Sequence, residues 1–127
     1  MNKLLFLPLL LFGFLIADPA LSSDLQKGKD ADENGDYVTA VKWYTLAAGQ
    51  GNDRAQFNLG VMYKKGLGVS QDYKVAIGWY TLAAEQGNDR AQHNLGVMHA
   101  KGLGVSQDYK AAAKWYTLAA EQGYDRA

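Results

Sequence analysis

The stretch GLGVSQDYK, at residues 66–74 and again at 102–110, is where residue types and spacing first suggest chemistry. A glycine-rich loop leading into a helix can bind phosphate, because backbone N–H groups and the helix dipole point at one place. Phosphate loops, however, need G-x-x-x-x-G-K-[ST] or G-x-G-x-x-G after a strand. Here a helical pattern precedes the loop, and the Asp72 carboxylate would repel an anion. The sequence therefore predicts helix-connecting loops, with Leu67 and Val69 folded back over the helix ends.

Apart from the glycine-rich loops, the histidine and serine side chains are the candidates for catalysis or metal binding. His93 and His99 are six residues apart, which places them about 120° apart on a helix, whereas ligands at i and i+4 share a face. Ser70 and Ser106 have no base nearby in the sequence, and no Ser-x-x-Lys, Gly-x-Ser-x-Gly or His-Glu-x-x-His motif occurs. We therefore predict no catalytic residue, no metal site and no cofactor.

Composition restricts the function classes further. The chain has 127 residues, with 13 basic and 13 acidic side chains and no cysteine. A neutral chain without a basic cluster is not expected to bind nucleic acid, since phosphate neutralisation needs grouped Lys and Arg. The absence of cysteine excludes disulfides, thiolate catalysis and cysteine-ligated zinc. Packing alone must hold this fold together.

Residues 1–22 have the pattern of a secretory signal peptide. Lys3 supplies the positive charge, residues 4–16 are apolar, and small residues up to Ser22 predict cleavage after that position. The apolar run is short for the roughly 30 Å hydrocarbon layer, and Pro8 would weaken a helix there. We predict a periplasmic or secreted protein that is not inserted in a membrane after cleavage. The alternative is an uncleaved segment that anchors the chain in the inner membrane.

The remainder of the chain is an internal repeat. Residues 55–90 and 91–126 are identical at 29 of 36 positions without a gap, and residues 36–54 match the second half of this unit. Self-similarity at such a period marks stacked units that cannot bury their apolar faces alone. The sequence therefore predicts one repeat domain over 23–127, divided into three units: 23–54, 55–90 and 91–126.

Each complete unit contains two helical patterns. In the first, Leu59, Gly60 and Tyr63 fall close together on a helical wheel, with Ala55 one turn earlier. The second has an apolar stripe of small and aromatic residues, for which we predict core packing. Its members are Tyr73, Ala76, Trp79, Tyr80, Ala83 and Ala84.

Residues at the ends of the second helices indicate where these helices begin and end. Asp72 and Asp108 are placed to accept a backbone N–H bond as N-caps. Gly87 and Gly123 suit the left-handed turn that ends a helix. The predicted second helices therefore lie between these residues.

This skeleton resembles the Sel-one-like repeat (SLR), a branch of the tetratricopeptide (TPR) superfamily found in bacterial secreted and periplasmic proteins. The residues that carry the resemblance in the second unit are Leu59, Gly60, Tyr63, Ala76, Tyr80, Ala83, Ala84 and Gly87. In the third unit His99 replaces the expected tyrosine. The first unit lacks four residues of the GLGVSQ region and so has the spacing of an ordinary TPR unit. The resemblance implies an all-α, right-handed α-α solenoid of antiparallel helix pairs.

The resemblance also implies a non-enzymatic protein-interaction scaffold of the cell envelope, which binds a peptide or protein on a concave face formed by the first helices. We hypothesise that Phe57 contacts the partner while Arg54 and neighbouring cations meet its acidic groups. The predicted partner-binding residues are Arg54, Phe57, Val61, Lys64, Lys65, Arg90, His93, Val97 and Lys101.

Other interpretations remain open at this point. Some cysteine-rich SLR proteins carry a β-lactamase label, but this chain lacks their cysteines and any recognisable nucleophile. The apolar stripe from Tyr109 to Ala120 has no further unit after it in this sequence. We therefore expect either a fragment of a longer repeat protein or an uncapped C-terminal end that meets a partner or a second copy by self-association.

Overall fold

The computed structural model describes residues 19–123, with side chains from residue 23 onward. The predicted signal peptide lies outside the described residues, apart from 19–22, which form the first turn of a helix. No helix in the described range is long and apolar enough to span a membrane. The described residues form six helices and no strand: α1 Pro19–Glu33, α2 Tyr37–Gly49, α3 Asp53–Lys65, α4 Tyr73–Glu85, α5 Asp89–Lys101 and α6 Tyr109–Glu121.

The helices pack as a series of antiparallel pairs. Within the units α1 packs on α2, α3 on α4, and α5 on α6, while α2–α3 and α4–α5 contacts join one unit to the next. Each helix therefore lies mainly against its neighbours in the chain, as in a solenoid. The predicted all-α solenoid of helix pairs is confirmed.

The second helices begin and end as the sequence predicts. The Asp72 carboxylate accepts a hydrogen bond from the Val75 N–H at 3.1 Å. At the other end of α4, Gly87 has a φ of 94°. Its N–H donates to the Ala84 carbonyl, and the Asn88 N–H donates to the Ala83 carbonyl, both at 3.0 Å. This pair of bonds is a Schellman motif, which satisfies carbonyls left free by the helix end.

The first helices begin two residues earlier than the predicted unit boundaries at 55 and 91. Asn52 is the N-cap of α3 and accepts a hydrogen bond from the Ala55 N–H at 2.9 Å. Asn88 caps α5 in the same way, with the Ala91 N–H as donor. The sequence interpretation overlooked these asparagines because each follows a helix-ending glycine and was assigned to the turn.

The core consists of two clusters, each between the second helix of one unit and the first helix of the next. The first cluster is Ala40, Tyr44, Ala47, Ala48, Ala55, Leu59 and Met62. The second is the equivalent set Ala76, Tyr80, Ala83, Ala84, Ala91, Leu95 and Met98. The aromatic stripe of α4 is therefore core, as predicted, with Trp79 and Tyr73 half-buried at its edges.

A glycine of each first helix faces the ring of a tyrosine in the paired second helix. A Cβ placed on Gly60 would lie 2.6 Å from a carbon of the Tyr80 ring, which is closer than real Cβ contacts allow. The glycine thus lets a large, buried ring fit between two closely packed helices. The same arrangement joins Gly28 to Tyr44 and Gly96 to Tyr116.

The GLGVSQ loops connect helices and also pack against the preceding unit. Gly68 has a φ of 73°, and a Cβ there would lie 2.6 Å from the carbonyl carbon of Tyr37, at the start of α2. Gly104 lies in the same way against Tyr73, at the start of α4. Leu67 and Val69 pack on the first core cluster, as predicted. Each loop therefore covers the first turn of a helix in the unit before it.

Buried glutamines add polar contacts between units that the sequence interpretation did not foresee. Gln56 donates to the Ala48 carbonyl at 3.1 Å and accepts from Gln86 at 2.9 Å. Gln86 also donates to the Gly51 carbonyl at 2.9 Å. Because Gln56 is only 4% exposed, these bonds satisfy polar groups that would otherwise be costly to bury. Two of these contacts recur in the next unit, where Gln92 donates to the Ala84 carbonyl and Gln122 donates to Gln92.

Candidate functional site

The first helices of the three units line one groove of about 380 Å³. Its walls come from α1, from the N-terminal half of α3, and from the N-terminus of α5. Because the units are stacked, residues from different repeats meet in the same place. The lining residues are Leu25, Lys29, Arg54, Phe57, Asn58, Asn88, Asp89 and Arg90.

Positive charge predominates in the groove. Lys29, Arg54 and Arg90 each come from a different helix, and Asp89 is the one carboxylate among the lining residues. Neither Lys29 nor Arg54 makes a hydrogen bond or ion pair with another described residue. Two cationic groups in this part of the chain therefore have donors available for an anionic ligand.

The Phe57 ring forms an apolar wall of the groove and is held in place on two sides. Its centroid lies 5.7 Å from that of the Tyr80 ring. The Arg90 guanidinium lies 5.8 Å from the same Phe57 centroid, within the range of a cation–π contact. Because Phe57 is half-buried, only part of the ring is available to a ligand.

The structure brings together some of the predicted partner-binding residues and separates others. Arg54, Phe57 and Arg90 meet in the groove. Val61 and Val97 are half-buried, and Val61 packs on the second core cluster. None of the other predicted residues lines this groove.

The predicted lysines form a second group at the opposite end of α3 and α5. Lys65 and Lys101 are the last residues of these helices and are exposed. Burial lowers the pKa of Lys64, and repulsion from Lys65 and Lys101 lowers it further. The three ammonium groups are therefore close enough to influence one another across units.

The two histidines do not converge. The His93 ring centroid lies 5.4 Å from that of Tyr116, so this side chain takes part in packing between α5 and α6. His99 Nδ1 is buried and has no hydrogen-bond partner within the described range. Residues 19–123 contain no group of three His, Asp or Glu side chains arranged to hold a metal ion.

Several groove residues were missed by the sequence interpretation. Leu25 and Lys29 belong to α1, where the repeat sequence has diverged. Aligning Gly28 with Gly60 would have shown that they occupy the repeat positions of Phe57 and Val61. Asn58, Asn88 and Asp89 also escaped notice. Asn88 caps α5 and donates to Asp53 Oδ2 at 2.9 Å, a contact between units that no wheel of a single helix can reveal.

Beside the groove, equivalent tyrosines of the first two units differ in how their hydroxyls are satisfied. The Tyr44 hydroxyl donates to Asp32 Oδ2 at 3.0 Å, and burial together with this contact raises the pKa of Tyr44. Lys64 occupies the position of Asp32 in the second unit and cannot accept. The Tyr80 hydroxyl is buried and has no hydrogen bond of normal geometry to any residue in the described range. Burial raises the pKa of Tyr80 to about 12, and nearby Asn94 opposes the rise.

This difference predicts that the same substitution destabilises the protein at Tyr44 but not at Tyr80. Tyr44→Phe is expected to lower the free energy of unfolding by about 1–2 kcal/mol, because a bond to a carboxylate is lost. Tyr80→Phe is expected to leave it within about 0.5 kcal/mol of the original value or to raise it, since no strong bond is lost. Urea unfolding of both variants checks this. An equal loss in both would contradict the assignment of hydrogen bonds.

Comparisons with known proteins agree with this architecture. A family model described as Sel1 repeat matches residues 24–52, 53–88 and 89–124. The second and third matches begin at the first residues of α3 and α5. No sequence among the curated proteins matches this chain.

Solved structures include clear relatives. A Sel1 repeat protein from Oxalobacter formigenes is 44% identical over 68% of this chain, with a TM-score of 0.66. A protective antigen of uropathogenic Escherichia coli that displays an SLR fold is 42% identical over 81% of this chain, with a TM-score of 0.77. The chain spans 35% of the first protein's length and 23% of the second's.

A third structure is similar in fold alone. Cysteine-rich protein B of Helicobacter pylori is 20% identical, with a TM-score of 0.65. The match covers 82% of this chain and 89% of that protein. The arrangement of helices is thus shared with a protein whose sequence has diverged widely from this one.

Proposed function

Because this chain belongs to the Sel1 repeat family, we propose that it is a non-enzymatic scaffold of the cell envelope that binds a peptide or protein in the groove across α1, α3 and α5. Sel1 repeat proteins are commonly scaffolds for protein–protein interactions. The single observation that carries the proposal is a groove in which two cations, Lys29 and Arg54, come from separate repeat units and have no hydrogen-bond or ion-pair partner among the described residues.

The chemistry of the groove favours a segment that carries both acidic and apolar side chains. Lys29 and Arg54 offer donors to a carboxylate, and a guanidinium can bind one through two parallel bonds. Phe57 and Leu25 offer apolar contact on the same walls. A groove of about 380 Å³ accommodates a few side chains rather than a whole domain, which supports a linear peptide segment as ligand.

The second group of cations extends the proposed surface. Arg54 and Lys64 are ten residues apart on α3, so they are separated by about 15 Å along the helix axis. An extended peptide covers that distance with about five residues. A ligand with acidic groups at both ends of such a segment would meet Arg54 near one end and the cluster of Lys64, Lys65 and Lys101 near the other.

Export to the periplasm or beyond the cell is part of the proposal. It is supported by the charged, apolar and small-residue pattern of residues 1–22, which predicts cleavage after Ser22. A β-lactamase-like hydrolase is the alternative function, and no observation favours it. The exposed face of α6, which no helix covers within the described residues, supports self-association as a second mode of interaction.

The proposal predicts that neutral substitutions in the groove weaken partner binding without unfolding the chain. The variant Lys29→Ser/Arg54→Ser removes two exposed cations that make no hydrogen bond or ion pair with another described residue. Recovery of bound proteins from an envelope extract, quantified by mass spectrometry, is expected to fall about tenfold. Retention of the helical circular dichroism spectrum would show that the fold is intact.

A matched control separates the groove from general surface charge. Lys42→Ser/Lys74→Ser also removes two exposed lysines, but from α2 and α4, outside the groove. This variant is expected to recover the same partners as the unaltered chain. Equal recovery by all three proteins would contradict binding in the groove.

A further inference from the structure

One face of α1 differs in chemistry from the faces of α3 and α5 that occupy the same repeat positions. When the buried glycines of the first helices are aligned, Lys27 corresponds to Leu59 and Asp30 corresponds to Met62. Leu59 and Met62 are each 1% exposed, because they pack on α2 of the preceding unit. Lys27 and Asp30 are exposed. The positions that bury apolar side chains against a preceding unit therefore carry charges in α1, and charged side chains are almost never fully buried unless paired.

A third position on this face has the wrong hydrogen-bonding groups for contact with a preceding unit. In α3 the Gln56 amide donates to the Ala48 carbonyl of the unit before it. Asp24 occupies that position in α1, and an ionised carboxylate has no proton to donate. A helix pair packed on this face would thus bring an unpaired negative charge against a backbone carbonyl, which is costly away from water.

The opposite face of α1 has kept the pattern of the repeat. Gly28 is buried against the Tyr44 ring, in the arrangement that the other units also have. Leu25 and Ala31 pack on the first core cluster. The change in chemistry is therefore confined to the side of α1 that points away from the rest of the stack, which we call the outer face.

Lysine side chains cover an aromatic ring beside the outer face. The Lys27 ammonium lies 4.5 Å from the centroid of the Trp43 ring, and the Lys42 ammonium lies 5.2 Å from it. Both distances are within the range of a cation–π contact. Trp79 and Trp115, the equivalent residues of the later units, pack instead on the first and second core clusters. The contacts that a preceding unit gives to this tryptophan are thus replaced by charged groups of α1 and α2.

The connection after α1 is also too short to contact a preceding unit. Residues 34–36 join α1 to α2, whereas residues 66–72 join α3 to α4. In the longer loop Gly68 packs on Tyr37, at the start of the second helix in the unit before. The first unit lacks the four residues that form this contact. It has therefore lost both features by which each later unit holds the unit before it, the apolar face and the loop.

We propose that α1 is the N-terminal cap of the solenoid, with an outer face suited to water that does not accept a further helix pair. Repeat arrays need such a polar face at their ends, because the end units would otherwise expose apolar surface. The row of first helices that lines the groove consequently starts at α1. Further units can be added to the array only after the first one.

Duplication of a unit at two places in the full chain tests this proposal. A copy of residues 55–90 inserted after Arg90 is in register with the repeat and meets apolar faces on both sides. A copy of residues 53–90 inserted before Ser23 is also in register, but its second helix would meet the outer face of α1. Limited trypsin digestion, with cleavage sites located by mass, measures how often each copy unfolds. The N-terminal copy is expected to be cleaved at least about 100-fold faster than the internal copy.

A converted α1 provides the matched control. It carries Asp24→Gln, Lys27→Leu and Asp30→Met, and residues 33–36 are replaced by residues 65–72, which supply the missing loop. Cleavage of the N-terminal copy is then expected to slow to within about tenfold of that of the internal copy.

Three results would overturn the proposal. They are an N-terminal copy that resists cleavage without the conversion, one that the conversion does not protect, and an internal copy that is cleaved just as fast. In the last case the failure to pack would not be specific to α1. All residues that line the groove are unchanged in these chains, so capping and partner binding can fail separately.

Discussion

Gly68→Ala is expected to lower the free energy of unfolding by about 3 kcal/mol and the Tm by about 15 °C. Two causes add. At a φ of 73°, a residue with a Cβ is strained by about 1–2 kcal/mol. The new methyl group would also lie 2.6 Å from the Tyr37 carbonyl carbon and 2.9 Å from the Val38 nitrogen. Backbone atoms cannot move aside as a flexible side chain can, so the loop must shift from its place on α2.

Gly35→Ala separates these two causes. Gly35 has a φ of 78°, but a Cβ there would meet no atom within 4 Å. This variant is therefore expected to lose about 1 kcal/mol from backbone strain alone. Thermal unfolding followed by circular dichroism gives both values. Equal losses at Gly35 and Gly68 would mean that the loop does not pack on the preceding unit.

Gly60→Ala is the second substitution for which we expect a large effect, a loss of about 2 kcal/mol. Alanine favours a helix over glycine by about 1 kcal/mol, so local propensity alone predicts a gain. The methyl group, however, would lie 2.6 Å and 2.7 Å from two carbons of the Tyr80 ring. That ring is fully buried and cannot turn away without disturbing the second core cluster. Overpacking of this kind costs about 1–3 kcal/mol or more.

Gly78→Ala is the matched control for helix propensity. Gly78 is exposed on α4, and a Cβ there would meet nothing within 4 Å. Its replacement is expected to raise the free energy of unfolding by about 0.5–1 kcal/mol. Opposite signs at Gly60 and Gly78 would identify contact with Tyr80 as the cause. A gain at both positions would refute the close approach of α3 and α4.

Features encoded within one unit were predictable from the sequence. Asp72 and Gly87 indicate the ends of α4 because capping depends on residues within one turn. Burial of Tyr80 followed from its place on an apolar stripe. The start of α3 was misplaced because Asn52 satisfies the requirements of both a turn and an N-cap, and only the backbone conformation distinguishes them.

Features formed between units were much harder to predict. A helical wheel shows that Phe57 and Arg54 share a face, but it cannot show that Lys29 of α1 reaches the same groove. The buried Gln56 would be placed on a polar surface by its side chain alone. Its partners lie on either side of α3: the Ala48 carbonyl belongs to α2, and Gln86 directly follows the last residue of α4, so its role depends on stacking.

The repeated contact between each loop and the preceding unit also bears on how such a chain can change length during evolution. Gly104 meets Tyr73 as Gly68 meets Tyr37, and the loop segments 66–74 and 102–110 have identical sequences. Recombination between the matching gene segments would add or remove 36 residues in register. At every new junction, the loop of one unit would then pack on the start of the second helix in the unit before it, as it does in this chain. We therefore expect arrays of different length to fold without further substitutions.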